Sequence, residues 1–183
     1  MKTLRWPNAS PAAGADAMNV IGVVGWKNSG KTTLVVRLVE LFTARGLAVS
    51  TVKHAHHVFD IDQPGKDSHL HRQAGAREVL IASDNRWALM HEHRSEESPP
   101  LSGLLARLDP VDLVIVEGFK QARIPKLEVR RAGADGNPIA PADPHVIAIV
   151  SGNPEPHSAL PVLPAEQPEK VAAFIAGRFR LPL

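Results

Sequence analysis

Residues 20–33 read Val-Ile-Gly-Val-Val-Gly-Trp-Lys-Asn-Ser-Gly-Lys-Thr-Thr. The apolar first half of this stretch is typical of a buried strand, and it ends at Gly25. From Gly25 to Thr32 the order is glycine, four residues, glycine, lysine and threonine, which is the spacing of a phosphate-binding P-loop. The stretch therefore predicts a strand, a phosphate-binding loop and a helix that begins near Lys31.

The residue types of this loop match the chemistry of a bound nucleoside triphosphate. Glycines at its two ends let backbone N–H groups surround a phosphate oxygen. Lys31 is expected to reach the β- and γ-phosphates, and the Thr32 hydroxyl is expected to hold the magnesium ion that bridges them. The alternative is a glycine-rich turn that binds nothing, and the flanking strand and helix argue against it. The candidate nucleotide-binding residues are Gly25, Lys27, Asn28, Ser29, Gly30, Lys31, Thr32 and Thr33.

Length and composition limit the classes of protein that this chain can be. With 183 residues and 44% hydrophobic content, it suits one domain with a sizeable core. Residues 1–17 lack hydrophobic periodicity and are predicted to be a disordered leader, so a single nucleotide-binding domain is expected over 18–183. No apolar run reaches the ~20 residues that cross a bilayer. The net charge of +2 predicts no nucleic-acid partner, and the lack of cysteine fits the expected cytoplasmic location.

Strand and helix patterns alternate along the rest of the chain. The predicted strands lie at 47–53, 112–117, 124–129 and 145–150, and the predicted helices at 31–45, 67–75, 101–108 and 169–179. Two further strands, at 78–82 and 86–91, flank Asp84-Asn85 and predict a hairpin. Together these elements predict an α/β P-loop NTPase fold with a mostly parallel sheet, helices on both faces and a β-hairpin extension.

A polar segment at 53–75 follows the second predicted strand, where α/β proteins bind ligands. In a P-loop protein a nucleotide-sensing switch lies at this place. Asp60 and Asp62 are candidate magnesium ligands because hard oxygen ligands suit that ion, although loop solvation explains them equally well. The clustered histidines show no zinc motif, so we favour contacts to phosphate or substrate. The candidate substrate or partner residues are Lys53, His54, His56, His57, Lys66, Asp67 and Lys120.

Glu117 ends an apolar run that is typical of a strand buried on both faces. A carboxylate at this place resembles a Walker B element, so Glu117 joins Thr32 as a candidate magnesium ligand. Lys31, Glu117 and Asp62 are the candidate catalytic residues. A basic stretch, formed by Lys120, Arg123, Lys126, Arg130 and Arg131, suits either an anionic ligand or a solvated edge strand. Residues 151–154, Ser-Gly-Asn-Pro, are expected to contact a nucleotide base.

Over about residues 18–150 the chain closely resembles the MobB family, the molybdopterin-guanine dinucleotide biosynthesis adaptor proteins. The resemblance rests on the loop at 25–33, on Val-Lys-His-Ala-His-His at 52–57, on Asp-Ile-Asp-Gln-Pro-Gly-Lys-Asp-Ser at 60–68, on Gln-Ala-Gly-Ala at 73–76 and on Val-Glu-Gly-Phe-Lys at 116–120 with Pro-Lys at 125–126. The P-loop alone would indicate only a superfamily, whereas the switch segment and Glu-Gly-Phe-Lys are far narrower.

The resemblance implies a homodimeric GTP-binding protein with weak GTPase activity. Such a protein assists the guanylyltransferase MobA, which joins GMP to molybdopterin, and molybdopterin itself is a further candidate ligand. Magnesium is the implied cofactor. The chain departs from the pattern of related proteins in two ways. Trp26 follows the first loop glycine where related proteins often have a lysine, so the resemblance assigns Lys27 no role across a dimer. The chain also lacks the Asn-Lys-x-Asp guanine signature, so GTP preference rests on the resemblance alone.

Two other functions fit the same residues. A P-loop small-molecule kinase would use ATP and clamp a phosphate or an acceptor with the basic stretch. A pure binding adaptor would use nucleotide only to order the segment at 53–67. Acceptor-stimulated ATP turnover distinguishes the kinase, and tight GTP binding without stimulated turnover distinguishes the adaptor.

Overall fold

A computed structural model describes residues 18–55, 59–134 and 136–182. The predicted leader at 1–17, together with His56 and His57, lies outside the described residues. The chain divides into two compact units, a division that the sequence did not indicate. The sheet unit comprises the chain up to His54 and from Leu101 onward, and the hairpin unit is Ala55–Pro100.

The sheet unit contains six strands and three helices among its described residues. The strands are β1 (Asn19–Val24), β2 (Val49–Lys53), β5 (Leu113–Glu117), β6 (Lys126–Arg130), β7 (Val146–Ser151) and β8 (Val162–Pro164). The helices are α1 (Lys31–Thr43), α3 (Leu101–Leu105) and α4 (Pro168–Phe179), with a short 3-10 helix at Ala140–Ala142. The predicted elements among these lie within a few residues of their expected positions, whereas β8 and the 3-10 helix were not predicted.

The six strands form one sheet in the order β2-β5-β1-β6-β7-β8, and every neighbouring pair is parallel. The first two strands in the chain are therefore not neighbours, because β5 lies between them. All the carboxyl ends of parallel strands meet at one edge of a sheet, so the loops after β1, β5, β6, β7 and β8 share that edge. This topology confirms the predicted α/β P-loop fold class.

Helices pack on both faces of the sheet, as predicted. Side chains alternate along β5: Leu113 and Ile115 join the core beneath α1 and α4, whereas Val114 and Val116 pack with α3. The apolar stripe of α1 consists of Leu34, Val35, Leu38 and Phe42, all buried. A strand covered on both faces must be apolar throughout, and this explains the continuous apolar run that ends at Glu117.

The hairpin unit contains α2 (Asp67–Gln73), β3 (Glu78–Ala82) and β4 (Trp87–His91). The two strands pair antiparallel, with Leu80 opposite Leu89 and Ala82 opposite Trp87, so the predicted hairpin is confirmed. In the part of the chain that the structure describes, no helix is long and apolar enough to cross a membrane. The cytoplasmic location stays a prediction.

Gly22 of β1 leaves room for the buried side chain of Lys126 on the neighbouring strand β6. It pairs with Lys126 in the β1–β6 ladder, and a Cβ on Gly22 would lie 2.6 Å from Lys126 Cγ and 3.3 Å from Ile124 Cδ1. Lys126 is only 1% exposed, so its stem has no free space to move into. Position 22 therefore requires glycine, because the Lys126 side chain approaches its backbone closely.

We predict that Gly22→Ala lowers the free energy of unfolding by about 1–3 kcal/mol, because the added methyl group overpacks this contact. Gly177→Ala is the matched control: it lies in α4 with no atom within 4 Å of its added Cβ. Alanine is the better helix former, so the control is expected to be neutral or more stable by about 0.5–1 kcal/mol. Urea unfolding followed by circular dichroism measures both changes, and equal stability of the Gly22 variant and wild type would contradict the packing argument.

Candidate nucleotide-binding site

The loop between β1 and α1 has the backbone shape of a phosphate cradle. Gly25 and Gly30 have φ of 154° and 96°, and Asn28 lies in the left-handed region at 61°. A Cβ on Gly25 would come within 2.5 Å of the Val129 carbonyl oxygen, so this position needs glycine for close approach as well. Helix α1 begins after Gly30 without a side-chain cap. Its first N–H groups are consequently available to an anion.

Lys31 and Thr32 form contacts that a phosphate and a magnesium ion can replace. Lys31 Nζ donates to the Trp26 carbonyl oxygen at 2.6 Å, and Thr32 Oγ1 donates to Glu117 Oε1 at 2.8 Å. Glu117 is 8% exposed, and its Oε1 also forms an ion pair with Lys53 Nζ at 3.3 Å. The structure therefore brings together four of the predicted site residues from β2, β5 and α1.

The electrostatics around Lys31 favour an anionic ligand. Partial burial lowers the pKa of the Lys31 ammonium below its usual value, the cations Lys120 and Lys53 act in the same direction, and Glu117 opposes them. A group whose charge is disfavoured by burial and by like charges is relieved when an anion binds beside it. The loop is thus poised to gain stability from a bound phosphate.

Trp26 is held by three neighbours, a role that the sequence did not reveal. Its indole Nε1 donates to the Asn137 carbonyl oxygen at 2.6 Å, and Lys120 Nζ lies 3.5 Å from the centroid of the ring. A Cβ on Gly136 would overlap the ring. Trp26 therefore joins the phosphate-binding loop to the segment before the 3-10 helix, and Lys120, a predicted substrate or partner residue, is placed here by a cation–π contact.

The remaining loop residues differ in exposure. Lys27 and Asn28 are exposed, and Ser29 is buried with a hydroxyl that makes no hydrogen bond to any described residue. Thr33 lies on the exposed side of α1. A buried hydroxyl without a partner is costly in a closed interior, so Ser29 Oγ fits a site that a polar ligand completes.

His54 follows β2 and lies beside the end of β5. Its backbone N–H donates to the Glu117 carbonyl oxygen at 2.9 Å, and its ring stacks on Phe119 with centroids 4.6 Å apart. Gly118 has a φ of 91° and Phe119 one of 48°, so the Glu-Gly-Phe-Lys motif forms a tight turn against this histidine. This predicted substrate or partner residue thus adjoins the site, whereas His56 and His57 lie outside the described residues.

Asp60 and Asp62, the other candidate magnesium ligands, are described within the hairpin unit. Arg72 binds both carboxylates at 2.8 and 3.0 Å and also binds Glu92 at 2.7 Å. Ser68 Oγ donates to Asp62 Oδ1 at 2.6 Å. The backbone N–H of Asp62 and the Arg72 guanidinium hold the pKa of Asp60 below its usual value.

Two further predicted substrate or partner residues lie at the start of α2. Lys66 precedes the helix, and Asp67 is its first residue. Across the described ranges, no group of three or more histidine, aspartate or glutamate side chains is arranged to hold a metal ion. The predicted magnesium role of Asp60 and Asp62 stays a prediction. In the sheet unit, the Thr32 hydroxyl and the Glu117 carboxylate are the hard oxygen pair that fits such an ion.

The structure corrects the expectation of a free basic stretch or a solvated edge strand at 120–131. Strand β6 lies inside the sheet, between β1 and β7. Lys126 is buried, with Nζ donating to the carbonyl oxygens of Lys120 and Ala122 and paired with Asp143. Arg130 pairs with Glu128 and Glu155, both at 2.9 Å. These two cations are therefore structural, and the sequence could not show this because the acidic partners come from β6 itself and from loops beyond it.

A cavity of about 720 Å³ opens beside the phosphate-binding loop in the sheet unit. Its walls come from the loop and α1, from the end of β6, from the segment after β7 and from the segment after β8. They include Ser29, Gly30, Thr33, Leu34, Arg37, Val129, Arg131, Gly152, Asn153, Ala165, Glu166 and Glu169. The predicted base-contacting segment at 151–154 thus borders the phosphate-binding loop, whereas Arg37 and Glu166 had no sequence signal.

Fold and site together define an α/β protein of the P-loop type. A family model described as molybdopterin guanine dinucleotide synthesis protein B, MobB, matches residues 20–152. The chain is 42% identical over 145 residues to the molybdopterin-guanine dinucleotide biosynthesis adapter protein of Escherichia coli K12, covering 78% of this chain and 83% of that protein. It is 39% identical over 137 residues to the protein of the same name from Haemophilus influenzae, covering 74% and 75%. The chain belongs to the MobB family.

Solved structures agree with this assignment and confirm the resemblance seen in the sequence. A crystal structure of molybdopterin-guanine biosynthesis protein B superposes with a TM-score of 0.68 at 26% identity, covering 87% of this chain and 99% of that chain. The crystal structure of Bacillus subtilis MobB superposes with a TM-score of 0.67 at 28% identity, covering 86% and 96%. The likeness therefore extends over most of both chains.

We predict that Asp143→Asn destabilises the fold by about 3–5 kcal/mol at pH 7, because it leaves the buried Lys126 ammonium without its carboxylate. Burial opposes ionisation of Asp143, but the hydrogen bonds from Lys126 and from the His145 backbone hold its pKa below the ordinary value of 3.8. A depressed pKa in the folded state means stabilisation that is present above pH 3.8 and is lost as the pH falls through the folded value. The difference in the free energy of unfolding between Asp143→Asn and wild type should therefore shrink as the pH falls below 3.8.

Urea unfolding at pH 7 and at several pH values below 4 measures this difference. Asp109→Asn is the matched control, since Asp109 is exposed and makes no hydrogen bond or ion pair with another described residue. It should change stability by less than about 0.5 kcal/mol. A difference for Asp143→Asn that stays constant down to low pH would contradict the ion-pair argument.

Proposed function

We propose that the protein is a GTP-binding accessory protein of molybdopterin-guanine dinucleotide biosynthesis with weak, magnesium-dependent GTPase activity. The observation that carries the proposal is the hydrogen bond of 2.8 Å between Thr32 Oγ1 and Glu117 Oε1, directly behind a phosphate-binding loop. This pair joins the first turn of α1 to the carboxyl end of β5, where a magnesium ion beside a bound phosphate would lie. Relatives named as adapter proteins support the pathway.

The residues present fit both the phosphate chain and the ion. Lys31 would exchange the Trp26 carbonyl oxygen for phosphate oxygens, and the uncapped N-terminus of α1 would donate its free N–H groups to the same anion. Thr32 and Glu117 would hold magnesium, which when bound neutralises charge that develops on the γ-phosphate. Asp60 and Asp62 remain proposed additional ligands from the switch segment.

Slow turnover follows from the short set of catalytic candidates. Lys31 stabilises phosphate charge and Glu117 positions the ion, but neither orients a water for attack on the γ-phosphate. Asp62 is the candidate for that task, and its carboxylate is already engaged by Arg72 and Ser68. Such a site favours binding over rapid hydrolysis, which suits an adapter whose nucleotide state positions a partner.

The proposed partner is the guanylyltransferase MobA, with molybdopterin as a further candidate ligand. Lys53, His54 and Lys120 lie around Glu117 and Trp26, so a change at the phosphate site reaches the surface that these residues form. Lys66 and Asp67, at the start of α2 in the hairpin unit, stay proposed substrate or partner residues on the strength of the sequence.

We predict that Lys31→Ala reduces the affinity for magnesium-GTP at least about 100-fold, because it removes the lysine that follows the second loop glycine and would contact the phosphate oxygens. Isothermal titration of GTP, GDP and ATP with magnesium into wild type and variant measures the change. Lys170→Ala on α4 is the matched control and should bind as wild type does. GTP affinity retained in the Lys31 variant would contradict the P-loop assignment.

The same titration tests the alternative function, a small-molecule kinase. A kinase would bind ATP more tightly than GTP, and its ATP turnover would rise when an acceptor is added. The pairing of Lys126 and Arg130 with acidic residues removes two cations from the clamp that such an enzyme would need. This pairing argues against a phosphate clamp formed by the basic stretch.

We also propose that the protein forms a homodimer through the hairpin unit. Leu80, Trp87 and Leu89 lie on one face of the hairpin and are 58%, 64% and 42% exposed. Large apolar side chains gathered on one face mark an interaction surface. A second copy is the proposed occupant because a two-fold dimer places the same patch of both chains together, which matches apolar with apolar.

We predict that Leu80→Asn shifts the protein from dimer to monomer, since it places a polar amide in the centre of the apolar face. Light scattering after size-exclusion chromatography at micromolar concentration measures the mass. Leu70→Asn is the matched control, because Leu70 is a 51% exposed leucine of the same unit on α2. A wild-type protein that is monomeric under these conditions would contradict the dimer, and dissociation of the Leu70 variant alone would place the interface elsewhere.

A further inference from the structure

The 720 Å³ cavity beside the phosphate-binding loop has the size and lining of a small-ligand site. Its apolar walls are formed by Leu34 of α1, Val129 of β6, Val150 of β7 and Ala165 and Pro168 beyond β8. Polar groups stand at its rim, and Ser29 and Gly30 of the phosphate-binding loop close one side. A ligand whose phosphates lie in the loop would therefore extend its remaining part into this cavity.

The order of the sheet explains why three distant segments meet here. Strands β6, β7 and β8 follow β1 as successive neighbours, and all run parallel to it. Their carboxyl ends consequently lie along the same edge as the phosphate-binding loop. The segment after β7 begins at Gly152 and the segment after β8 at Ala165, so both border the space next to α1.

Two of the polar side chains in the cavity, Asn153 and Glu166, make no side-chain hydrogen bond or ion pair with another described residue. The carboxylate of Glu166 rests on the backbone of Gly152, where an added Cβ would overlap Oε1. This contact brings the second residue after β8 against the residue that precedes Asn153. In contrast, Arg37 is paired with Glu40 at 2.6 Å, and Arg130 is paired with Glu128 and Glu155.

We infer that this cavity binds the base of the nucleotide, and that Glu166 selects guanine by accepting hydrogen bonds from its N1–H and its exocyclic amino group, with Asn153 contacting the O6 edge. The inference rests on the proposed nucleotide binding and deepens it. A carboxylate matches two adjacent donors, which guanine has and adenine lacks. Glu166 thereby supplies the interaction that an aspartate makes in the Asn-Lys-x-Asp signature absent from this chain.

A swap of donor and acceptor at Glu166 tests this assignment. Glu166→Gln keeps one acceptor oxygen and adds an N–H donor, which suits xanthine, whose C2 carries a carbonyl oxygen in place of the amino group. Isothermal titration with magnesium and GTP, ITP, XTP or ATP is the measurement. For wild type we expect GTP to bind more tightly than ITP and XTP. In Glu166→Gln we expect GTP affinity to fall roughly 10- to 100-fold and XTP to bind more tightly than GTP.

Glu169→Gln is the matched control, because Glu169 lies in the first turn of α4 and lines the same cavity. It loses the same charge, so a purely electrostatic effect of the cavity on nucleotides would change both variants equally. The assignment to Glu166 predicts the switch toward XTP in that variant alone. Equal changes in both variants, or a switch in the Glu169 variant only, would overturn it.

The outcomes separate this inference from the proposed function. Wild type that binds GTP tightly, with an unchanged order of nucleotides in Glu166→Gln, overturns the guanine assignment and leaves GTP binding intact. Wild type that binds no nucleotide overturns both together. Circular dichroism of each variant establishes that it is folded before its titration is interpreted.

Discussion

The carboxylate of Glu117 is the constraint on which the site depends. It ends a strand buried on both faces and is itself nearly buried, a position that costs free energy unless the charge is paired and hydrogen-bonded. Thr32 and Lys53 supply these partners from α1 and β2. A single strand end therefore fixes the first turn of the helix, the loop before it and the neighbouring strand in one arrangement.

The contacts of Lys31 and Thr32 stand where the proposed phosphate and cation would bind. Lys31 donates to a carbonyl oxygen of its own loop, and Thr32 donates to a carboxylate, so neither polar group is left unsatisfied. A phosphate would offer Lys31 a charged acceptor, which is stronger than the neutral carbonyl oxygen that it replaces, and a cation would be held by the Thr32 hydroxyl and the Glu117 carboxylate together. A ligand would first have to break these contacts, and this lowers its affinity. The same contacts keep the loop ordered before the ligand binds.

Local patterns made the loop, β5 and the hairpin predictable from the sequence. Glycine spacing, a continuous apolar run and a turn at Asp84-Asn85 each act over a few residues. The burial of Lys126 was not predictable, since it depends on β6 lying inside the sheet and on Asp143, a partner far along the chain. Trp26 was missed for the same reason, because its partner Asn137 follows it by more than a hundred residues.

The parallel sheet also explains how the inferred base site could form without a contiguous signature. A linear motif places several base-contacting residues after one strand, whereas here the cavity receives Gly152 and Asn153 after β7 and Glu166 after β8. Neighbouring parallel strands end within one strand spacing of each other, so residues from two segments can meet as closely as residues from one. Selectivity in such a site is encoded by strand order rather than by sequence spacing. A carboxylate that follows the edge strand β8 can then take over a role that the loop after β7 does not provide.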